Sequence, residues 1–253
     1  MSLYVELADG VASLVIDRPA RRNAFSESMW DEMPGLMAGF GVDDRVRVVV
    51  IRSAVDGVFS AGADVAEFQG AIDRQVDSSV DRIRRAFQAV IDIPKPTIAA
   101  ISGACHGGGA GLATCCDIRI GDQSAEFSIP PARLGVLYPF PVLRRLVWII
   151  GPGAARRLLF TARTFDAVEA SRLGFLDEVV PTGDLGECSE ALAREMAANA
   201  PGAIAAMKRV MNGLEATESQ IAQLAMDLEQ TAFRSVEHHE GVAAFLEKRL
   251  PRY

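Results

Sequence analysis

An α/β fold with a helical C-terminal region is predicted for this chain of 253 residues. Three observations carry the prediction. The runs at 46–51 (VRVVVI) and 97–101 (TIAAI) are almost wholly apolar and β-branched, the texture of strands covered on both faces. Strand, loop, helix and strand recur through residues 46–120, which points to crossover units rather than a sandwich. From about Pro130 onward the periodicity is helical. No fixed-period repeat or low-complexity linker interrupts the chain. Two regions are expected: a core over 1–195 and a C-terminal helical region over 196–253.

The elements follow in order. Residues 4–7 and 11–16 alternate around Asp9-Gly10 and predict a hairpin. Ser26 caps a helix whose apolar positions Met29, Met33, Leu36, Met37 and Phe40 recur at three and four. After the strand at 46–51 and a glycine-containing loop at 57–63, Val76, Val80, Ile83, Phe87, Val90 and Ile91 mark a longer amphipathic helix, ended by Pro94-Lys95-Pro96. The strand at 97–101 leads through Gly103 to Gly107-Gly108-Gly109, a small-residue helix, and a short strand at 118–120. Helices are expected at 143–150, 154–160, 166–173, 184–200, 203–211 and 220–233, the last opened by a capping box at Thr217–Gln220.

Composition narrows the function classes. With 26 basic against 33 acidic side chains the net charge is −7, against a nucleic-acid or anionic-membrane surface as main partner. No run reaches the ~18 apolar residues of a membrane span, and the N-terminus lacks the basic start of a signal peptide, so a cytoplasmic protein is expected. Cys105, Cys115, Cys116 and Cys188 have neither metal-ligand nor disulfide spacing and are read as reduced. No metal is expected.

Two segments ask for more than packing. Phe59-Ser60-Ala61-Gly62-Ala63-Asp64 follows one strand, and Gly103-Ala104-Cys105-His106-Gly107-Gly108-Gly109 follows another, each at a helix start. Glycine turns at helix N-termini aim backbone N–H groups outward and favour negative charge. Two of them can direct two donors at one oxygen, the arrangement of an oxyanion hole. Neither has the Lys-Ser/Thr ending of a P-loop or the full dinucleotide fingerprint, and no G-x-S-x-G elbow occurs. A packing role for both loops remains open.

The segments FSAGADV (59–65), PKPTIAAISGACHGGGAGLATCCDIRI (94–120) and FLEKRLP (245–251), with RPARRNA (18–24) and LGFLDEVVP (173–181), resemble the enoyl-CoA hydratase/isomerase family, the crotonase superfamily. The resemblance is collinear over nearly the whole chain. It implies a crotonase-like ββα spiral with a C-terminal region that builds homotrimers or hexamers. The implied ligand is an acyl-CoA thioester, with CoA part of the substrate and no other cofactor. Carried over by position, the oxyanion donors are the N–H groups of Ala63 and Gly108. Arg22, Ala24, Ala61, Asp64 and Val65 would line the CoA moiety. Phe245 and Lys248 would reach the CoA of a neighbouring subunit.

The pattern fails at one place. The family's hydratases carry two glutamates, and at the matching positions this chain has Gly111 and Pro131. Without them ordinary hydration is not expected, and a single-base isomerase mechanism loses its base. The run Leu134-Gly135-Val136-Leu137-Tyr138 is similar to that of the family's methylmalonyl-CoA decarboxylases, which makes Tyr138 a candidate catalytic residue near a substrate carboxylate. Decarboxylation needs no glutamate, because loss of CO₂ gives the thioester enolate directly. Packing of Tyr138 as an ordinary aromatic is the alternative. His106 is expected to pack with its ring bonded locally, and His238 and His239 to be solvated. Arg133 faces either a substrate carboxylate or a surface acid. The leading reading is therefore an acyl-CoA enzyme that stabilises a thioester enolate, an atypical lyase in character. An isomerase, a hydrolase, or a CoA-binding protein without catalysis are the alternatives.

Overall fold

The structure is a computed structural model describing residues 2–67, 78–214, 226, 230–231 and 233–249. The capping box at 217–220 and most of the helix expected at 220–233 lie outside these residues. The chain opens with the expected hairpin, β1 (Leu3–Ala8) and β2 (Val11–Ile16), closed by Asp9 and Gly10 at φ 50 and 81. Both turn residues at positive φ match the twist of the strands they join. Helix α1 (Glu27–Val42) starts at Ser26, whose hydroxyl accepts Met29 N–H at 3.3 Å.

Three repeats of one unit then build the core. Each is a longer strand, a shorter strand and a helix: β3 (Val48–Ser53), β4 (Val58–Ser60) and α2 (Ser78–Asp92); β5 (Thr97–Ile101), β6 (Ala104–His106) and α3 (Gly108–Cys115); β7 (Ile118–Asp122), β8 (Glu126–Ser128) and α4 (Pro131–Leu134). The longer strands lie in the order β1-β2-β3-β5-β7-β10, antiparallel between β1 and β2 and parallel from β2 onward, with β10 (Glu178–Val180) at the edge. The shorter strands form a second sheet, β4-β6-β8-β9, closed by the antiparallel β9 (Thr164–Asp166). This is the ββα spiral that the resemblance implied.

The apolar runs are explained by burial on both faces. Along β3, Val49 and Ile51 enter one core with Met33, Phe59 and Phe87, whereas Val48 and Val50 enter a second with Ile98, Ile120 and Ala193. The second face is covered by α7 (Leu185–Ala197), through Leu192, Ala193 and Met196. The span α5 (Phe140–Thr161) is two helical segments joined at Gly151, whose backbone is non-helical (φ 75, ψ 158) before Pro152, as the two helices expected there require. Helix α6 (Ala167–Arg172) is capped by Asp166, which accepts Glu169 N–H at 2.8 Å.

The C-terminal helices are held by buried polar ties. On α8 (Pro201–Leu214), Lys208 is 5% exposed and its Nζ donates to Asp117 Oδ2 at 2.7 Å and Lys95 O at 2.9 Å. Asp117 also accepts from Thr97 N–H at 2.8 Å, which joins α8 to the start of β5. Helix α9 (Val236–Leu246) crosses α4 so closely that a Cβ on Gly241 would stand 2.7 Å from Leu134 backbone atoms. Only glycine permits that approach.

Candidate active site

The second sheet places the two donor loops side by side. Strands β4 and β6 are parallel neighbours, so the chain leaves both at the same edge. After β4, Gly62 takes φ +105, and after β6, Gly107 takes φ +49 with ψ −121. These are glycine conformations, and each turns the following N–H out of the sheet. A Cβ on Gly62 would stand 3.0 Å from Gly108 N, and one on Gly108 would stand 3.2 Å from Ala63 N. Among the described residues no acceptor takes the N–H of Ala63 or of Gly108. Gly108 is also the first residue of α3, whose aligned peptide dipoles add positive potential there.

A buried clamp holds the first loop. Asn23 is fully buried at φ 56. Its Nδ2 donates to Ser53 Oγ at 2.7 Å and Phe59 O at 3.2 Å, and its Oδ1 accepts Arg18 N–H at 2.8 Å. Ser60 Oγ donates to Asn23 O at 2.8 Å and accepts Gly62 N–H at 3.1 Å. Phe25 and Ala63 form a parallel bridge, through Phe25 N–H to Gly62 O and Asp64 N–H to Phe25 O. Arg18 completes the clamp, with Nη1 on Ala24 O at 2.8 Å and on Asp64 Oδ2 at 2.9 Å. Asp64 and Ala24 thus fasten the loop, and neither lines the cavity.

In front of the donors lies a cavity of about 470 Å³. Of the residues singled out from the sequence, Arg22, Ala61, Ala63, Val65, Gly108, Pro131, Tyr138 and Phe245 line it, and Lys248 does not. Its walls are apolar in the main: Val65, Ile83, Phe87, Leu134, Val136 and Leu137 contribute. Phe87 is fixed by an edge contact to Trp30, their rings 5.4 Å apart, and Trp30 stacks on Phe25 at 4.4 Å. Among the described residues no Asp or Glu lines the cavity. Pro131 stands in the wall itself. Gly111 lies behind it, in the second turn of α3, where a Cβ would meet Phe87 Cζ at 2.7 Å and the Tyr138 hydroxyl at 3.1 Å. Tyr138 is 8% exposed, and its hydroxyl donates to Gly107 O. Burial pushes that phenol well above its usual range, so it stays protonated.

Histidines frame the polar end. His106 Nε2 lies 3.3 Å from Glu126 Oε1, off-line for a hydrogen bond; burial lowers the ring's pKa, with the carboxylate opposing and Arg22 assisting. The local bond expected for His106 is therefore a polar contact with Glu126 rather than an aligned hydrogen bond. His238 corrects the sequence reading outright. It is 1% exposed, not solvated, and lines the cavity. Its Nδ1 contacts Leu134 O at 2.8 Å, which fixes the neutral Nδ1–H tautomer, and its buried Nε2 has no partner among the described residues. Burial depresses its pKa, opposed by the Leu134 contact. His239 is exposed as expected, and Arg133 also faces the cavity. Two buried thiols are held protonated: burial pushes Cys116 up to about 12 and raises Cys105 well above a free thiol. Among the described residues no three metal-ligating side chains gather, and no helix is long and apolar enough to cross a membrane.

The arrangement is that of two converging N–H donors over an apolar, carboxylate-poor cavity. Comparison with known proteins agrees. A family model described as enoyl-CoA hydratase/isomerase matches residues 6–253. The chain is 34% identical over 252 residues to enoyl-CoA hydratase domain-containing protein 2, mitochondrial, of Mus musculus, covering 96% of this chain and 84% of that one. It is 33% identical to the mitochondrial methylglutaconyl-CoA hydratase of the same organism, covering 96% and 79%. Among solved structures, a methylmalonyl-CoA decarboxylase in complex with 2-nitronate-propionyl-CoA superposes with a TM-score of 0.87 at 26% identity, covering 100% and 98%. With the model match spanning nearly the whole sequence, the chain belongs to the enoyl-CoA hydratase/isomerase family.

Proposed function

We propose that this crotonase-superfamily enzyme binds the thioester carbonyl of an acyl-CoA between the N–H groups of Ala63 and Gly108, and that its reaction passes through the thioester enolate. The carrying observation is the pair of unengaged donors facing a cavity with no carboxylate among its described lining residues. Donors fixed before substrate arrives stabilise charge as it develops on the oxygen and need no reorganisation. The same cavity offers no carboxylate to activate water or to remove a proton from the α-carbon. Gly111 and Pro131, where the hydratases' glutamates would stand, support that reading.

The chemistry left is loss of CO₂ from an α-carboxyacyl (malonyl-type) thioester. The bond from the α-carbon to the carboxylate breaks, CO₂ departs, and the electron pair delocalises onto the thioester oxygen in the hole. A proton from water then reaches the α-carbon. Apolar walls favour departure of CO₂ over retention of a carboxylate. The decarboxylase fold neighbour supports this reading, whereas the names of the sequence relatives favour hydration. Arg22 at the cavity mouth supports a role in holding the CoA end, and Phe245 supports a role beside it. Exposed Trp148, Phe160, Met207 and Val210 support assembly into a homotrimer or a dimer of trimers.

Mass spectrometry on a panel of acyl-CoAs tests the reading. Loss of CO₂ from an α-carboxyacyl-CoA of malonyl type bears it out, and gain of water on crotonyl-CoA replaces it with hydration. Release of free CoA names a hydrolase. Binding with no mass change leaves an isomerase or a non-catalytic binder.

A further inference from the structure

Among the described residues Tyr138 is the one tyrosine lining the cavity, and its hydroxyl proton does not point at the space a substrate would fill. It goes to Gly107 O. That carbonyl belongs to the same peptide unit as Gly108 N–H, one of the two donors. Gly107 O also accepts Gly111 N–H at 2.9 Å, within α3. A peptide whose oxygen takes two hydrogen bonds has electron density drawn from its nitrogen, so its N–H becomes a stronger donor. The peptide's plane is also held from behind, which fixes the direction of the N–H.

The local sequence builds this contact. Tyr138 precedes Pro139, so its backbone is confined to extended conformations. Its ring is 8% exposed. The space the hydroxyl occupies exists because residue 111 has no side chain, a Cβ there standing 3.1 Å from the phenol oxygen. Loss of a side chain at 111 and the engagement of Tyr138 with the donor peptide are thus one packing arrangement.

We propose that Tyr138 is a positioning residue: by donating to Gly107 O it orients and polarises the Gly107–Gly108 peptide, and so tunes the oxyanion hole through the back of one donor. This rests on the oxyanion-hole reading above. It replaces the sequence-based expectation that the phenol meets a substrate carboxylate, since one O–H proton cannot serve both.

The test uses full-length protein and butyryl-CoA labelled with ¹³C at the thioester carbonyl. In wild type the carbonyl infrared band is expected to fall to lower wavenumber on binding. In Tyr138→Phe the fall is expected to shrink, and turnover of an α-carboxyacyl-CoA, assayed separately, to drop about 10-fold with KM little changed, less than the roughly 10²-fold of a lost donor. A second variant keeps shape and packing: 3-fluorotyrosine placed at 138 has a more acidic phenol, and the band is expected to fall further than in wild type. A merely structural role would not move the band in that direction. An unchanged band in the fluorotyrosine protein, beside a shifted wild type, overturns the proposal and leaves the oxyanion hole standing. A wild-type band identical to that of free butyryl-CoA overturns both.

Discussion

Replacing Gly111 by alanine asks directly whether the volume of a missing side chain is filled. Two effects oppose each other. Gly111 lies inside α3 with helical backbone, so alanine should gain about 0.5–1 kcal/mol from reduced freedom of the unfolded chain. Against that, the new Cβ would stand 2.7 Å from Phe87 Cζ and 3.1 Å from the Tyr138 hydroxyl. Neither neighbour can retreat easily: Phe87 is 1% exposed and locked edge-on to Trp30, and Tyr138 is bonded to Gly107 O. Overpacking of a well-filled core costs about 1–3 kcal/mol, so a net loss of about 1 kcal/mol is expected. Urea unfolding at one fixed protein concentration measures it, because subunit association would otherwise shift the midpoint. Phe87→Leu removes the obstructing ring edge. In the double variant the alanine should cost less than it does alone, a coupling of about 1 kcal/mol. A Gly111→Ala protein as stable as wild type, with an unchanged denaturant slope, would show the space to be free, and the argument that no side chain fits at 111 would fail.

Three further outcomes are expected. Ala63→Pro deletes one donor N–H and should lower turnover by about 10²-fold or more, with a folded protein of unchanged turnover removing Ala63 from the hole. Lys208→Met leaves Asp117 without its cation. Breaking a buried pair costs roughly 3–5 kcal/mol, but Asp117 keeps Thr97 and is 23% exposed, so about 2 kcal/mol is expected in urea unfolding, and less than about 0.5 kcal/mol would refute the tie. The third concerns pH. Burial holds the pKa of His238 below the free value of 6.5, so the unfolded chain protonates first and stability falls as pH drops through that value. His106 acts in the same sense, and nearby His239 opposes charging of His238. His238→Gln should therefore lose less stability than wild type between about pH 7.5 and about pH 5.5, while an equal loss would place the titration elsewhere.

What the sequence revealed depended on how local the cause was. The hairpin turn at Asp9-Gly10, the Ser26 cap and the doubly buried β3 and β5 are set by neighbours in sequence, and their periodicity is visible. The second sheet was not legible, because β4, β6, β8 and β9 have three residues each, too few for alternation to register. Yet that sheet is what brings Ala63 and Gly108 together; the glycine turns hinted at donors without giving their convergence. His238 was misread because its burial is imposed by Leu134, 104 residues away, and nothing in its own helix marks it. Arg18 bonds both Ala24 O and Asp64 Oδ2, a structural tie that their place in the motif did not announce. A positively charged residue so near the motif was the available signal.

The parallel pairing of β4 with β6 bears on how the protein acquires its activity as it folds. Two parallel strands cannot be joined by a tight turn, and here the connection runs through α2 and β5, more than forty residues between Ser60 and Ala104. Closing so long a loop before any donor meets its partner makes this contact entropically late. The β1–β2 hairpin and the interior of α1 need no such closure and form from neighbouring segments. By the same loop-closure argument, the convergence of the two donors costs more chain entropy than the hairpin or α1, so the site depends on long-range order that those elements do not need.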